Sequence, residues 1–120
     1  MHVKRRKKAV AEHSRVIIIL AISLRMVLGL LRVELFFPEN GSLKEKRHYL
    51  RSIKDKVRSS FNVSVSEVDY HDLWQRSSLA FACVSHEKSI AENTLNGVKK
   101  LLEKHYPEFI LELKSEYLFL

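Results

Sequence analysis

Five basic side chains between residues 42 and 58 recur at spacings that place them on one side of a helix. Ser42 and Glu45 form an S-x-x-E capping box, which predicts that the helix begins at this point. At about 100° per residue, the basic side chains form a narrow stripe beside an apolar seam. This basic stripe consists of Lys44, Arg47, Arg51, Lys54 and Arg58, and the apolar seam consists of Leu43, Leu50, Ile53 and Val57.

The basic stripe contains almost no acidic side chains, because Asp55 lies at its edge and Glu45 lies on the far side of the helix. Five like charges in one arc repel one another, so helix stability does not favour this arrangement. The stripe would extend about 21 Å along the helix, which is long enough to follow several phosphates of a nucleic-acid strand. The pattern therefore predicts a binding surface for anions, with a merely solvated helix face as the alternative.

A second concentration of functional groups, EVDYHDLWQR, occupies positions 67–76. Its carboxylate and imidazole groups could hold a metal ion, but their spacing matches no open metal site, and a His–Asp pair here lacks a nucleophile. Trp74 could stack on a nucleic-acid base, with Arg76 on a phosphate or beside the ring. The alternative is a structured bend in which Trp74 closes the end of the core. The candidate residues of this segment are Asp69, His71, Asp72, Trp74 and Arg76.

Hydrophobic periodicity predicts six elements in the order β-α-β-β-α-β. Alternating apolar residues predict strands at 27–37, 63–66, 79–84 and 111–116, and a longer period predicts helices at 42–60 and 87–105. This order is the ferredoxin-like pattern of an α+β protein, in which both helices cover one face of an antiparallel four-stranded sheet. The expected core residues from the sheet are Leu31, Val33, Leu35, Val63, Val65, Leu79, Phe81, Leu111 and Leu113.

The other face of the predicted sheet is half polar and carries small residues on the third strand. Its expected members are Arg32, Glu34, Phe36, Ser64, Ala80, Ala82, Val84, Glu112 and Lys114. Such a face could stand in water, or it could bind a second copy of the chain to form a homo-oligomer.

The net charge of +7 is concentrated at the N-terminus, because residues 1–25 carry seven basic side chains and one acidic side chain, whereas residues 26–120 carry 14 and 13. A basic extension, a translation start at Met26 and an export signal all remain open for residues 1–25. The apolar run at 16–24 is far shorter than the roughly 20 residues of a membrane span, so we expect no stable membrane insertion. Residues 26–120 are expected to form one domain. The lone Cys83 excludes an intramolecular disulfide and fits a reducing cytoplasm.

Three segments, SLKEKR at 42–47, FNVSVSEVD at 61–69 and DLWQR at 72–76, resemble the YlxP-like family of small bacterial proteins, a domain of unknown function. The resemblance covers residues 26–120 and implies a ferredoxin-like domain in the bacterial cytoplasm. It brings no catalytic residues and no cofactor. Members of this family are often encoded near genes for translation initiation and ribosome maturation, which implies RNA or a ribosomal subunit as the partner.

These observations together predict a non-catalytic binding domain that is associated with RNA or the ribosome and uses its basic first helix. The alternative is a self-associating structural domain or a sensor of a small ligand. An enzyme with its site at 69–76 is a third hypothesis, which only the local density of functional groups supports. We therefore expect no metal and no cofactor, and binding rather than catalysis.

Overall fold

The computed structural model of the protein describes residues 26–120 and, upstream of them, Arg15. The remainder of the expected basic extension at 1–25 lies outside the described residues. The elements are β1 (Val27–Phe36), α1 (Leu43–Ser60), β2 (Ser64–Asp69), β3 (Arg76–Ser85), α2 (Lys88–His105) and β4 (Ile110–Phe119). A short 3₁₀ helix, Pro107–Phe109, precedes β4. The predicted order β-α-β-β-α-β is confirmed. Within this part of the chain, no helix has the length and apolar character that crossing a membrane requires.

The four strands form one antiparallel sheet in the order β2-β3-β1-β4. The central strand β1 pairs along its full length with β3, from Val27 opposite Ser85 to Phe36 opposite Arg76. Strands β2 and β4 are the two edges. This is the ferredoxin-like arrangement that the sequence predicted, and it places α1 and the edge strand β2 on the same side of the molecule.

Both helices contribute to a single core on one face of the sheet. The spacing of Leu50, Ile53 and Val57 turns one side of α1 towards the sheet, and all three side chains are buried. Helix α2 approaches β1 closely at Gly29, where a Cβ atom would lie 3.0 Å from Leu95 Cδ1. The buried side chains that α2 contributes are Ala91, Leu95, Val98 and Leu102.

The predicted position of Leu111 in the core is wrong, since its side chain is 54% exposed. Glu34 pairs with Glu112, but the next residue of β1, Leu35, pairs with Ile110. Leu111 is therefore the extra residue of a β-bulge, and a bulge turns its residue away from the regular alternation. Ile110 takes its place against the core, while Val63 and Leu113 pack there partly buried.

The opposite face of the sheet, here called the open face, carries no covering element among residues 26–120. Val84, Leu28 and Leu118 stand opposite one another on β3, β1 and β4, and Val84 is 68% exposed. Charged residues follow further along the strands, where Arg32 Nε donates to Glu34 Oε1 at 2.7 Å. This face therefore has an apolar end and a charged end.

Candidate functional site

The start of α1 is fixed by the predicted capping box. Ser42 Oγ accepts a hydrogen bond from the Glu45 backbone N–H at 3.1 Å, and Glu45 Oε2 accepts one from the Gly41 N–H at 3.3 Å. These contacts satisfy backbone donors that a helix N-terminus leaves without partners. The orientation of the helix about its own axis follows from burial of its apolar seam, and this orientation positions the basic stripe.

Four members of the basic stripe line one surface depression of about 350 Å³ on the side of α1 that faces β2. These residues are Arg47, Arg51, Lys54 and Arg58, and we call the depression the basic groove. Lys44 lies elsewhere, beside Glu45, His48 and Tyr49 in a separate depression. The structure thus brings together four of the five predicted residues and leaves Lys44 outside the group.

The cations of the basic groove make no ion pair with any carboxylate of residues 26–120. Asp55 and Glu67 also line the groove, but neither lies within ion-pair distance of these four side chains. One polar contact crosses to the sheet, where Arg58 Nη2 donates to Val65 O at 3.5 Å. Because β2 is an edge strand, the wall of the groove also carries backbone groups that do not pair within the sheet. The groove is therefore rich in positive charge that no carboxylate of residues 26–120 neutralises.

Lys46 belongs to the same helix but has the opposite environment, with only 1% of its surface exposed. Its ammonium group donates to Tyr70 O at 2.6 Å and Leu73 O at 2.8 Å, and it lies 2.9 Å from Glu67 Oε2. An ammonium group has three protons, so these three acceptors match its donor capacity. Lys46 therefore joins α1 to the connection between β2 and β3.

The sequence contains a signal for the burial of Lys46, which the pattern of charge alone does not show. Lys46, Leu50, Ile53 and Val57 follow the spacing of one helix face, so Lys46 continues the buried apolar seam by one turn. A lysine at the end of a buried seam must find acceptors there, because an unpaired buried charge is costly.

Glu67 is the ionised partner of Lys46, and its side chain is 15% exposed. Besides Lys46, it accepts a hydrogen bond from Ser77 Oγ at 2.6 Å and lies 3.1 Å from His71 Nδ1. Burial by itself raises the pKa of Glu67, but the hydrogen bonds from Ser77 and Lys46 and the charge of Lys46 outweigh it. The net result is a pKa for Glu67 below its ordinary range. Glu67 is therefore ionised at neutral pH.

Residues 69–76, which we call the bend, have a backbone that contacts with residues outside the bend hold in place. Asn40 Nδ2 donates to Trp74 O at 2.5 Å, and the Phe37 N–H donates to Gln75 O at 2.8 Å. Gln75 Nε2 donates in return to Pro38 O at 3.0 Å. Tyr70 adopts a left-handed conformation with φ of 64°, which lets the chain turn sharply. The backbone of the bend is therefore ordered, and Lys46 is one of its anchors.

The side chains of the bend lie largely at the surface. Trp74 is 53% exposed, so the alternative in which it closes the end of the core is wrong. The carbonyl groups of Trp74 and Gln75 are tied to the β1–α1 connection, while the ring lies in a surface depression of about 400 Å³ together with Phe36 and Arg76.

Arg76 is held by two groups, because its guanidinium lies 4.7 Å from the centre of the Tyr70 ring and its Nη2 lies 3.4 Å from Glu34 Oε2. Its buried Nε–H has no hydrogen-bond partner among the described residues. Asp69 Oδ1 accepts from the Tyr70 N–H at 2.8 Å, and His71 and Asp72 are exposed. Within residues 26–120, no three His, Cys, Asp or Glu side chains are grouped so that they could hold a metal ion.

Known proteins resemble this chain in sequence and in fold. This chain is 39% identical over 82 residues to the uncharacterized protein YlxP of Bacillus subtilis (strain 168). The matched region covers 68% of this chain and 88% of that protein. A protein of unknown function from Nitrosomonas europaea has a similar structure, with a TM-score of 0.50 and 12% identity over 82% of this chain and 91% of its own. A dabb family protein with a ferredoxin-like fold from Mesorhizobium loti has a TM-score of 0.47 and 12% identity over 78% and 94%.

These structural likenesses concern the fold alone, since their sequence identity is low. The sequence match is stronger, and a family model described as protein of unknown function (DUF503) also matches residues 28–115. The resemblance to YlxP-like proteins predicted from three short segments is thereby confirmed, and this chain belongs to the DUF503 family.

Proposed function

We propose that the protein is a non-catalytic RNA-binding protein whose basic groove holds the phosphate backbone of RNA, free or within a ribosomal subunit. The observation that carries the proposal is the division of charge on α1. Lys46 is buried and paired with Glu67, whereas Arg47, Arg51 and Arg58 are exposed and have no acidic partner among the described residues. Such a role would place the protein in the cytoplasm.

The electrostatics of the groove support a polyanion as the ligand. From Arg47 to Arg58 the groove follows α1 for about 16 Å, at about 1.5 Å per residue. Like charges this close raise the energy of the free protein, and a phosphate chain that lies along them removes the repulsion and releases its own counterions. A small anion would neutralise one or two of these cations, whereas a nucleic-acid strand can neutralise all four.

Arginine is the dominant cation of the groove, which also favours a phosphate ligand. Three of its four cations carry the planar guanidinium group, which donates two parallel hydrogen bonds to phosphate oxygens. The backbone contacts would position the RNA without selecting its sequence.

The test measures binding of the full chain to a labelled single-stranded RNA and to ribosomal subunits over a salt series. Each phosphate contact on a single strand contributes about −0.7 to the slope of log affinity against log salt. Reversal of Arg47 and Arg51 to Glu should make the slope shallower by about 1.4 and weaken binding roughly 25-fold at ~0.1 M salt.

A matched control has the same net charge as the Arg47 and Arg51 double variant. Reversal of Lys56 and Lys104 to Glu makes the same change in net charge, but these exposed side chains lie outside the basic groove. It should leave affinity and slope close to those of the unchanged protein, even if residues 1–25 also attract RNA. Equal losses in both double variants would show that the groove is not the binding surface.

The open face of the sheet supports a second candidate function, self-association. Val84, Leu28 and Leu118 form an apolar row across three strands, next to the small side chain of Ala82. The four strands together form a face with an area of roughly 600 Å² per copy, if neighbouring strands lie about 4.8 Å apart and each residue extends a strand by about 3.3 Å. Two copies would bury roughly 1,200 Å², which reaches the lower limit of specific interfaces.

Light scattering over a concentration series tests this second candidate. A dimer that Val84→Glu converts to a monomer would support it, provided that Ile90→Glu on the helix side leaves the dimer intact. A monomer at every concentration of the unchanged protein would contradict it. The two candidate functions use opposite faces, so one can fail without the other.

A further inference from the structure

The bend combines a fixed backbone with exposed apolar side chains. The carbonyl oxygens of Leu73, Trp74 and Gln75 all accept hydrogen bonds, from Lys46 Nζ, Asn40 Nδ2 and the Phe37 N–H. Yet the indole of Trp74 is about half exposed. The backbone of this segment is therefore already ordered in the folded protein. A ligand that covers Trp74 binds without the further entropic cost of ordering that backbone.

The surroundings of Trp74 suit a flat, uncharged group better than a phosphate. Phe36 and Trp74 supply aromatic surface, and the Arg76 guanidinium lies in the same depression. The charge of Arg76 is partly balanced by Glu34 at 3.4 Å, and Asp72 lies at the same site. A nucleobase offers such a flat surface, and exposed aromatic side chains bind unpaired bases by stacking.

The bend also borders the basic groove. Glu67 lines the groove and contacts His71 of the bend, and Lys46 precedes Arg47 in the chain while it donates to Leu73 O. The Arg47 end of the groove is therefore the end nearest the bend. A strand that follows the groove towards Arg47 reaches the backbone of the bend next, and it must continue around the bend to reach the Trp74 ring, which lies with Phe36 and Arg76 on the side of the open face.

We propose that Trp74 is the stacking platform for one unpaired base of a single-stranded RNA whose phosphates lie in the basic groove. This inference rests on the proposed function and narrows its ligand from RNA in general to single-stranded RNA. The groove supplies phosphate contacts, and the bend supplies a base contact. A duplex cannot use Trp74 in this way, because its bases are stacked and paired inside the helix.

The chain offers a direct readout, because Trp74 is its only tryptophan. Titration of the full chain with an oligoadenylate of ~12 nucleotides should quench the tryptophan fluorescence as the base stacks. An abasic ribose-phosphate strand of the same length carries the same phosphates, and it should bind through the groove without quenching. An RNA duplex of the same sequence should behave like the abasic strand.

Substitution gives the second readout, measured by anisotropy of the labelled oligoadenylate. Trp74→Ala should weaken binding about fivefold to 150-fold, the range found when a stacked aromatic is removed, with the salt slope unchanged. Trp74→Phe keeps a stacking surface and should restore most of the affinity. Phe119→Ala removes an exposed aromatic at the other end of the sheet and should change nothing. Circular dichroism establishes that each variant is folded.

The outcomes separate the two proposals. Quenching by oligoadenylate together with the loss in Trp74→Ala supports the stacking site. A second outcome is that the reversal of Arg47 and Arg51 removes binding, while RNA does not quench the fluorescence and Trp74→Ala binds as tightly as the unchanged protein. This outcome overturns the stacking site and leaves the groove as the RNA surface. Absence of binding to any RNA overturns both.

Discussion

Replacement of Lys46 by Met tests the most consequential contact of the structure. Methionine keeps most of the volume of the lysine stem, so the packing of α1 on the sheet is preserved. The change removes the ammonium group that joins Glu67, Tyr70 O and Leu73 O. It therefore isolates the polar contribution of Lys46 from its packing.

The magnitude follows from what the substitution leaves behind. Removal of one partner of a buried ion pair costs about 3–5 kcal/mol, because the other charge stays buried without compensation. Glu67 retains contacts with Ser77 and His71 and is 15% exposed, so we expect the lower end, about 3 kcal/mol. For a domain of this size the melting temperature should fall by roughly 12–24 °C.

Urea unfolding followed by circular dichroism measures this loss. Lys56→Met removes an exposed ammonium group from the same helix and should change the free energy of unfolding by less than about 0.5 kcal/mol. Lys46→Met and Glu67→Gln should also be non-additive, with a coupling energy of at least ~1 kcal/mol. A Lys46→Met variant as stable as Lys56→Met would refute the assignment of Lys46 as an anchor of the bend.

Three further predictions concern single sites. The pKa of Glu67 is lowered in the folded state, so its stabilisation is present above about pH 4.3 and is lost as the pH falls through the folded value. The stability advantage over Glu67→Gln should therefore shrink between about pH 7 and pH 3 in urea titrations, and a constant difference would contradict this. Gly97→Ala should destabilise the protein by about 1 kcal/mol, because the new Cβ would lie 2.7 Å from Phe61 Cζ. In a Phe61→Ala variant, which lacks this ring, the same substitution should stabilise the protein by up to ~1 kcal/mol, because alanine favours the helix more than glycine does. Burial raises the pKa of the Cys83 thiol, so a thiol reagent should label it slowly in the folded protein and rapidly in urea; fast labelling of both would argue against the buried position.

The order of elements was predictable because each helix and strand carries its own local signal. The capping box at Ser42 marks the start of α1, and the seam of Leu50, Ile53 and Val57 fixes which side of the helix is buried. Once the buried side is known, the direction of the basic stripe follows from helix geometry. For the same reason, the sequence placed Arg47 and its neighbours on one surface correctly.

The details that the sequence did not predict depend on contacts between distant residues. Lys46 finds its carbonyl acceptors 24 and 27 residues away, and no local pattern shows where those carbonyls point. The carbonyl of the exposed Trp74 is held by Asn40 from another loop, a contact that no local pattern reveals. The displacement of Leu111 arises from a shift of register between two strands, which hydrophobic alternation alone does not reveal.

The segment SLKEKR, which carried much of the resemblance, combines two kinds of residue. Lys46 points inward and supports the bend, whereas Arg47, one position later, points into the basic groove. Under the proposed function, loss of either side chain would weaken RNA binding, but for different physical reasons. An effect through Lys46 would accompany a loss of stability and of the Trp74 stacking signal, whereas an effect through Arg47 would leave stability unchanged and alter the salt slope. Measurement of both quantities on the same variants is what distinguishes a binding residue from a residue that holds the binding surface in place.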